Sequence, residues 1–231
     1  MKPTWTSDCG TVKLWLGDCL EVMPSWPDEL EIVSDPPFGM NYSPDKSSDT
    51  DTNRSARKWK PIHGDCKPFD PLPMMRFAHA ILWGANWFGS QLPATGGWLV
   101  FNKRGEGRPS GNDYGDCEIA WSNVTGAVRM FSHMWHGAFR WQSEPVLHPN
   151  QKPVALMEWC IGFTKGAIAD PYMGSGTTGV AAVRLGREFY GCEIDPEYFE
   201  VSKQRIIDEL NRFPLLENVE TKPTQTTIFD D

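Results

Sequence analysis

The chain has 231 residues, 40% of them hydrophobic and 23% charged, a globular balance that excludes wholesale disorder. No run approaches the ~18 apolar residues of a membrane span, and the opening MKPTWTSDCG lacks the apolar core of a signal peptide. The net charge of -8 argues against a polyanionic partner, yet residues 41–110 carry ten basic against six acidic residues, so positive charge is concentrated in one central stretch.

In chain order, Val12 to Leu16 (VKLWL) alternates and stops at Gly17-Asp18, which predicts a strand running into a turn. Cys19 to Met23 predicts a short helix closed by Pro24 and Pro27, and Leu30 to Ser34 a second strand stopped by Pro36-Pro37. Residues 41–73 shift to Ser, Asp, Thr, Pro and Lys without periodicity, and read as a long, mobile, functional loop. Met74 to Leu82 predicts a helix and Gly97 to Asn102 (GWLVFN) a buried strand. Strands are also expected at Cys117–Ser122 and Ala127–Phe131. Pro153 to Phe163 has helical spacing with proline in its first turn. A short strand at Ala167–Ala169, a helix at Val180–Leu185, a strand at Glu188–Ile194 and an amphipathic helix at Pro196–Leu210 follow, and the tail from Phe213 is polar. Short apolar strands alternating with helices imply a largely parallel sheet covered on both faces.

The six cysteines, at 9, 19, 66, 117, 160 and 192, form no CxxC pair. That argues against a zinc site or a disulfide framework and for reduced thiols in a cytosolic protein.

Two segments carry chemistry. Ile168 to Gly179 (IADPYMGSGTTG) lies between a strand and a helix. Its glycines let the backbone approach a ligand, and the amides at the helix start face negative charge. Gly176 is followed by Thr177 where a P-loop needs lysine, and the dinucleotide pattern GxGxxG is only half met. Glu193 ends the next strand, about 20 residues on, where a carboxylate accepts from ribose hydroxyls. These residues predict a nucleoside-like cofactor.

The second segment is Asp35-Pro36-Pro37-Phe38. Two prolines fix φ and remove two amide donors, leaving a carboxylate, carbonyls and an aromatic face. An acceptor-only loop suits a planar amino group. Acceptors on both N–H bonds turn the nitrogen lone pair toward an electrophile and stabilise the charge that develops there. An ordinary strand-to-loop stop is the other reading of this tetrapeptide.

DPPF at the front, with DPYMGSGTTG and GCEID at the back, resembles the amino-methylating DNA methyltransferases, over roughly residues 12–210. LGDCLEVM (Leu16 to Met23) and HPNQKPVALMEW (His148 to Trp159) extend the resemblance. Catalytic loop first and cofactor loop last resembles the permuted beta order of that family.

The resemblance implies an α/β, Rossmann-like fold with a mostly parallel central sheet and helices on both faces. Residues 1–212 would form one methyltransferase domain and 213–231 a tail. It implies S-adenosylmethionine as cofactor, no metal, and duplex DNA as partner, with a homodimer as an allowed assembly. Asp35, Pro36, Pro37 and Phe38 would hold and stack the target base. Asp170, Pro171, Tyr172, Met173, Gly174, Ser175, Gly176, Thr177 and Thr178 would wrap the cofactor's methionine part, with Glu193 on its ribose, Asp18 near its adenine and Lys152 on its carboxylate.

Adenine N6 is the implied target and cytosine N4 the alternative. A duplex base must be flipped out to be reached. Arg54, Arg57, Lys58, Lys60, Lys103, Arg104 and Arg108 would meet phosphates. Residues 105–147, with Trp121, Trp135 and Trp141, would be a short target-recognition insertion. The tail Gln225 to Phe229 resembles a sliding-clamp peptide. The reading from a different class is a catalytically silent DNA- or clamp-binding module, whose signature would be a broken DPPF or glycine loop; both are intact.

Overall fold

The computed structural model describes residues 1–41, 60–104, 115–136, 139–140 and 145–212. Its strands are β1 (Trp5–Thr6), β2 (Val12–Leu16), β3 (Glu31–Ser34), β4 (His79–Trp83), β5 (Gly97–Asn102), β6 (Cys117–Ser122), β7 (Arg129–Ser132), β8 (Trp135–His136), β9 (Phe139–Arg140), β10 (Ile168–Asp170) and β11 (Phe189–Glu193). Its helices are α1 (Cys19–Val22), α2 (Ala85–Phe88), α3 (Val154–Ile161), α4 (Thr177–Arg184) and α5 (Pro196–Arg212). Nine strands form one sheet in the order β1-β2-β11-β10-β3-β4-β6-β5-β7, and β8 pairs with β9 as a separate ribbon.

The five central strands, β2, β11, β10, β3 and β4, are mutually parallel. β6 runs antiparallel between β4 and β5, and β1 antiparallel on β2. Every residue of β3 and β10 is buried, as expected of strands covered on both faces.

Alternate side chains supply two cores. Val12, Leu14, Val33, Ile81, Ile168 and Phe189 pack with α3, α4 and α5. Their neighbours Trp15, Ile32, Leu82, Ala169, Tyr190 and Cys192 pack on the other face with α1, α2 and Phe69. In α5 the buried Phe199, Ser202, Ile206 and Glu209 recur at helical spacing, and Arg184 Nε (2.8 Å) and Nη2 (3.2 Å) donate to Glu209. Among the described residues, no helix is long and apolar enough to cross a membrane.

Two expectations need correction. Met74 to Leu82 is not a helix: a 3-10 turn at Leu72–Arg76 precedes β4. HAILW is apolar on both faces of the sheet, so it lacks the alternation that marks a half-buried strand. Within the loop at 41–73, described from residue 60 onward apart from Asn41, two residues are anchored. Asp65 and Phe69 are buried, and Asp65 Oδ1 accepts from the backbone N–H groups of Gly39 (3.0 Å) and Met40 (3.1 Å). Finally, part of the segment 105–147 belongs to the main sheet as β6 and β7, and Trp121 is a core residue donating to Pro93 O.

Candidate active site

The chain enters the sheet so that N-terminal and C-terminal strands become neighbours. β3 lies beside β10 in parallel, with Ile168 opposite Glu31 and Ala169 opposite Ile32. Both run straight into their loops, Asp35-Pro36-Pro37-Phe38 and the turn after Asp170, so the two motifs share one edge of the sheet. Successive connections leave this edge in opposite directions, which opens a crevice at the strands' carboxyl ends.

A buried bond fastens the two loops. Ser34, immediately before Asp35, donates its hydroxyl to Asp170 Oδ1 at 2.6 Å. Asp170 also accepts from Tyr172 N (3.1 Å) and from the Thr178 hydroxyl, and burial pushes its carboxyl up to about 6. Asp170 is therefore a joint between the loops.

The glycine turn is built mainly from inward-facing side chains. Met173, Ser175, Thr177 and Thr178 are buried. Ser175 Oγ donates to Gln151 Oε1 at 3.2 Å, and Arg205 of α5 donates to Ser175 O (2.6 Å) and Thr177 Oγ1 (3.3 Å). What the turn presents outward is backbone. Gly176 has φ +80°, and a Cβ there would lie 2.8 Å from that of Ser202, so close seating on α5 requires glycine. Tyr172 hydrogen-bonds Cys19 and packs edge-on to Phe69, and Pro171 is buried beside it.

Glu193 stands at the end of β11, two strands from β3. Its carboxylate accepts from Gly174 N and from Asp195 N, both at 2.8 Å. Burial raises its pKa, with the backbone donors Asp195, Gly174 and Ile194 opposing. Asp18 follows β2, the next strand along, and caps α1 by accepting from Leu20 N at 2.9 Å. His148 lies against the glycine turn. Its ring lies 3.9 Å from where a Cβ on Gly174 would stand and packs edge-on to Tyr198. Burial, then the positive charge of Lys152, lower His148 to about 4.

At the front loop, Asp35 is 16% exposed at its side chain. Its Oδ2 receives Lys152 Nζ at 2.6 Å, while Oδ1 is buried without a hydrogen-bond partner. Burial pushes the Asp35 carboxyl up, and Lys152 pulls it back. Lys152, expected on a cofactor carboxylate, here pairs with Asp35 and also with Glu118 Oε2 at 2.9 Å. Phe38 stacks on Trp87, with ring centroids 6.0 Å apart and planes 16° apart.

Sequence reading missed Glu118, Trp87, His148 and Arg205. The HPNQKP segment contained a signal for His148, two residues from Asn150 and four from Lys152; a lone acid in a strand and a lone tryptophan in a four-residue helix contain none.

Of the residues expected to meet DNA, the described ones are ion-paired. Lys60 reaches Glu197 at 2.6 Å, Lys103 reaches Glu118 at 2.9 Å and Arg104 reaches Asp116 at 2.5 Å. Arg54, Arg57, Lys58, Arg108, Trp141 and the tail Gln225 to Phe229 lie outside the described residues.

Residues 101–204 match a family described as DNA methylase. The chain is 39% identical over 98 residues to the Type II methyltransferase M2.LlaDCHI of Lactococcus lactis subsp. cremoris, covering 41% of this chain and 32% of that protein. It is 48% identical over 62 residues to the Type II methyltransferase M2.DpnII of Streptococcus pneumoniae (26% and 23% covered). It is 31% identical over 137 residues to the Type II methyltransferase M.BglII of Bacillus subtilis (56% and 34% covered). The matches thus span about a third or less of each of these relatives. Among solved structures, the M1.HpyAVI–SAM complex matches with a TM-score of 0.51 at 22% identity, over 84% of this chain and 99% of that one. The cytosine-N4-specific PvuII DNA methyltransferase matches with a TM-score of 0.53 at 17% identity, over 91% and 94%. At these identities the structural likeness is one of fold.

Proposed function

We propose that this chain, whose residues 101–204 match the DNA methylase family, transfers a methyl group from S-adenosylmethionine to the exocyclic N6 amine of an adenine flipped out of duplex DNA. The observation that carries this reading is Asp35 Oδ1, a buried acceptor with no partner in a loop rigidified by two prolines. Leaving such an atom unsatisfied costs ~1–3 kcal/mol, and an amine N–H arriving in the crevice removes that cost.

The residues fit the cofactor. Glu193 holds backbone N–H groups of Gly174, Asp195 and Ile194 and, with about four acceptor sites, retains capacity for a ribose hydroxyl. Any side chain at Gly174 would project toward His148, so glycine keeps the space between turn and imidazole open. Asp18, Glu193 and the turn around Gly174 would hold the nucleoside and methionine parts. The bound cofactor supplies a methyl already activated by its sulfonium charge, so the protein's work is positioning.

Asp35 Oδ1 accepts one N–H of the target amine, which directs the nitrogen lone pair away from the ring plane. In the transfer the methyl carbon would leave sulfur, which becomes a neutral thioether, as its bond to nitrogen forms; the nitrogen would take on the positive charge, and the adjacent carboxylate would stabilise it. The surplus proton would pass from the amine to Asp35 Oδ1 and on to solvent. Phe38 offers a face for the extruded base, offsetting part of the unstacking at roughly 1–3 kcal/mol per stacked base.

The test is incubation with methyl-labelled S-adenosylmethionine and plasmid DNA, followed by base analysis. Label in N6-methyladenine at a defined sequence is expected. Label in N4-methylcytosine would move the assignment to the cytosine alternative, and no label from a folded, cofactor-binding protein would overturn the reading.

A further inference from the structure

Four chain segments bring charges of alternating sign to the crevice. Asp35 follows β3, Lys152 precedes α3, Glu118 lies on β6 and Lys103 follows β5. Lys152 Nζ bridges Asp35 Oδ2 (2.6 Å) and Glu118 Oε2 (2.9 Å), and Lys103 Nζ holds Glu118 Oε1 (2.9 Å). Lys152 is only 10% exposed at its side chain and Glu118 31%. A lysine this enclosed is retained only if its charge is met, and here two carboxylates meet it.

The bonding is asymmetric at Asp35. One oxygen is taken by the ammonium, and the other is buried and free. With Oδ2 tethered at 2.6 Å, rotation of the carboxylate is arrested and Oδ1 points to a fixed place.

We infer that Lys152 and Glu118 are a positioning pair for Asp35: Lys152 fixes Oδ2 so that Oδ1 is presented to the target amine, and Glu118 restrains how strongly Lys152 draws on that carboxylate. This rests on the reading of Asp35 given above and deepens it.

The physical need for both members is clear. A buried carboxylate left alone takes up a proton, and a protonated Asp35 loses acceptor capacity. Lys152 prevents that. An ammonium with no second partner would concentrate its field on Asp35 and weaken it as an acceptor for the amine; Glu118 divides that field. Burial pushes Glu118 up, but Lys152 and Lys103 outweigh it and bring it down to about 2, so Glu118 stays ionised through the working range. The charged groups facing Asp35 are Lys152, Glu118, Lys103 and Asp170, and His148 faces Lys152. Of these, Lys152 lowers the Asp35 pKa and Glu118 raises it.

The two members therefore have opposite signatures. Activity needs ionised Asp35, so its acid limb follows the Asp35 pKa. In Lys152→Met that limb moves to higher pH, and kcat at neutral pH falls by ~10²-fold as the carboxylate loses its tether. In Glu118→Gln the limb moves to lower pH. Lys152→Arg, which can reach both carboxylates, returns the limb toward wild type. A second readout needs no methyl transfer: the Asp35 carboxyl carbon, assigned through Asp35→Asn, is titrated by carbon-13 NMR in the cofactor-free protein. Its pKa should rise in Lys152→Met and fall in Glu118→Gln.

Should Lys152→Met fail to fold, Glu118→Gln decides the matter by either readout. A wild-type protein that methylates DNA, with neither the limb nor the carboxyl titration moving in the variants, overturns the inference alone. A wild-type protein that methylates no DNA overturns the reading of Asp35 on which it rests, even when the titration moves as stated.

Discussion

Gly84→Ala is a sharp test of how the front loop is seated. Gly84 caps α2 with φ +77°, and a Cβ built there lies 2.4 Å from Phe38 Cδ1 and 2.6 Å from Cε1. Carbon atoms rest at ~3.5–4.0 Å, so the ring must retreat by roughly 1 Å. The left-handed backbone costs alanine ~1–2 kcal/mol, and the overpacking adds ~1–3 kcal/mol. At ~2–4 °C per kcal/mol for a chain of this size, Tm should drop by about 4–20 °C. Gly186→Ala is the matched control, since Gly186 has φ +66° and nothing within 4 Å of its Cβ position; it should lose only the backbone part, about 2–8 °C. Because Phe38 belongs to the loop we propose to hold the base, Gly84→Ala should also lower kcat by ~10²-fold while S-adenosylmethionine affinity holds. Thermal melts and labelled methyl transfer on both variants decide it. A Gly84→Ala protein that melts with the control and retains full kcat would refute the packing argument.

Ser34→Ala removes the hydroxyl that joins the two loops, leaving Asp170 with Tyr172 N and Thr178. We expect ~1–3 kcal/mol of lost stability, read as a lower urea midpoint at constant slope, and an Asp170 pKa moved further above about 6, because the Ser34 bond opposes the rise. His148→Gln should alter acid stability. The native imidazole titrates at about 4 and the unfolded one near ~6.5, so stability present above pH ~6.5 is lost as pH falls toward 4. The variant should lack that loss by up to one proton in urea melts across this range. Asp170, raised to about 6, acts with opposite sign, so the variant should lose less stability on acidification than the wild type. Trp87 is 55% exposed beside Phe38; Trp87→Ala should weaken DNA binding by about 5- to 150-fold, the equivalent of one stacked base at ~1–3 kcal/mol, with cofactor affinity unchanged, as measured by fluorescence anisotropy and calorimetry.

What the sequence made legible follows from range. Strands with clean alternation or a sharp stop, β2, β5 and β6, fall on the residues expected. β4 was read as a helix because HAILW is buried on nearly all of its residues and so has no diagnostic period. β1, with two residues, and α2, with four, are too short to carry any pattern.

At the site, DPPF and the glycine turn were readable because each is contiguous and its chemistry is local. Their fastening was not, since Ser34 and Asp170 stand 136 positions apart. The ion pair of Lys152 with Asp35 is likewise hidden by the 117 positions between them. Glu118 had no signal at all: its meaning comes only from the antiparallel pairing that sets β6 between β4 and β5.

The most direct test of the account measures Asp35→Ala twice, once for S-adenosylmethionine binding by calorimetry and once for methyl transfer to DNA. An acceptor that acts on the target amine, with the cofactor held separately by the glycine turn, predicts near-wild-type binding and a rate at least ~10²–10³-fold lower. Undiminished transfer, or cofactor affinity that falls in step with the rate, would contradict it.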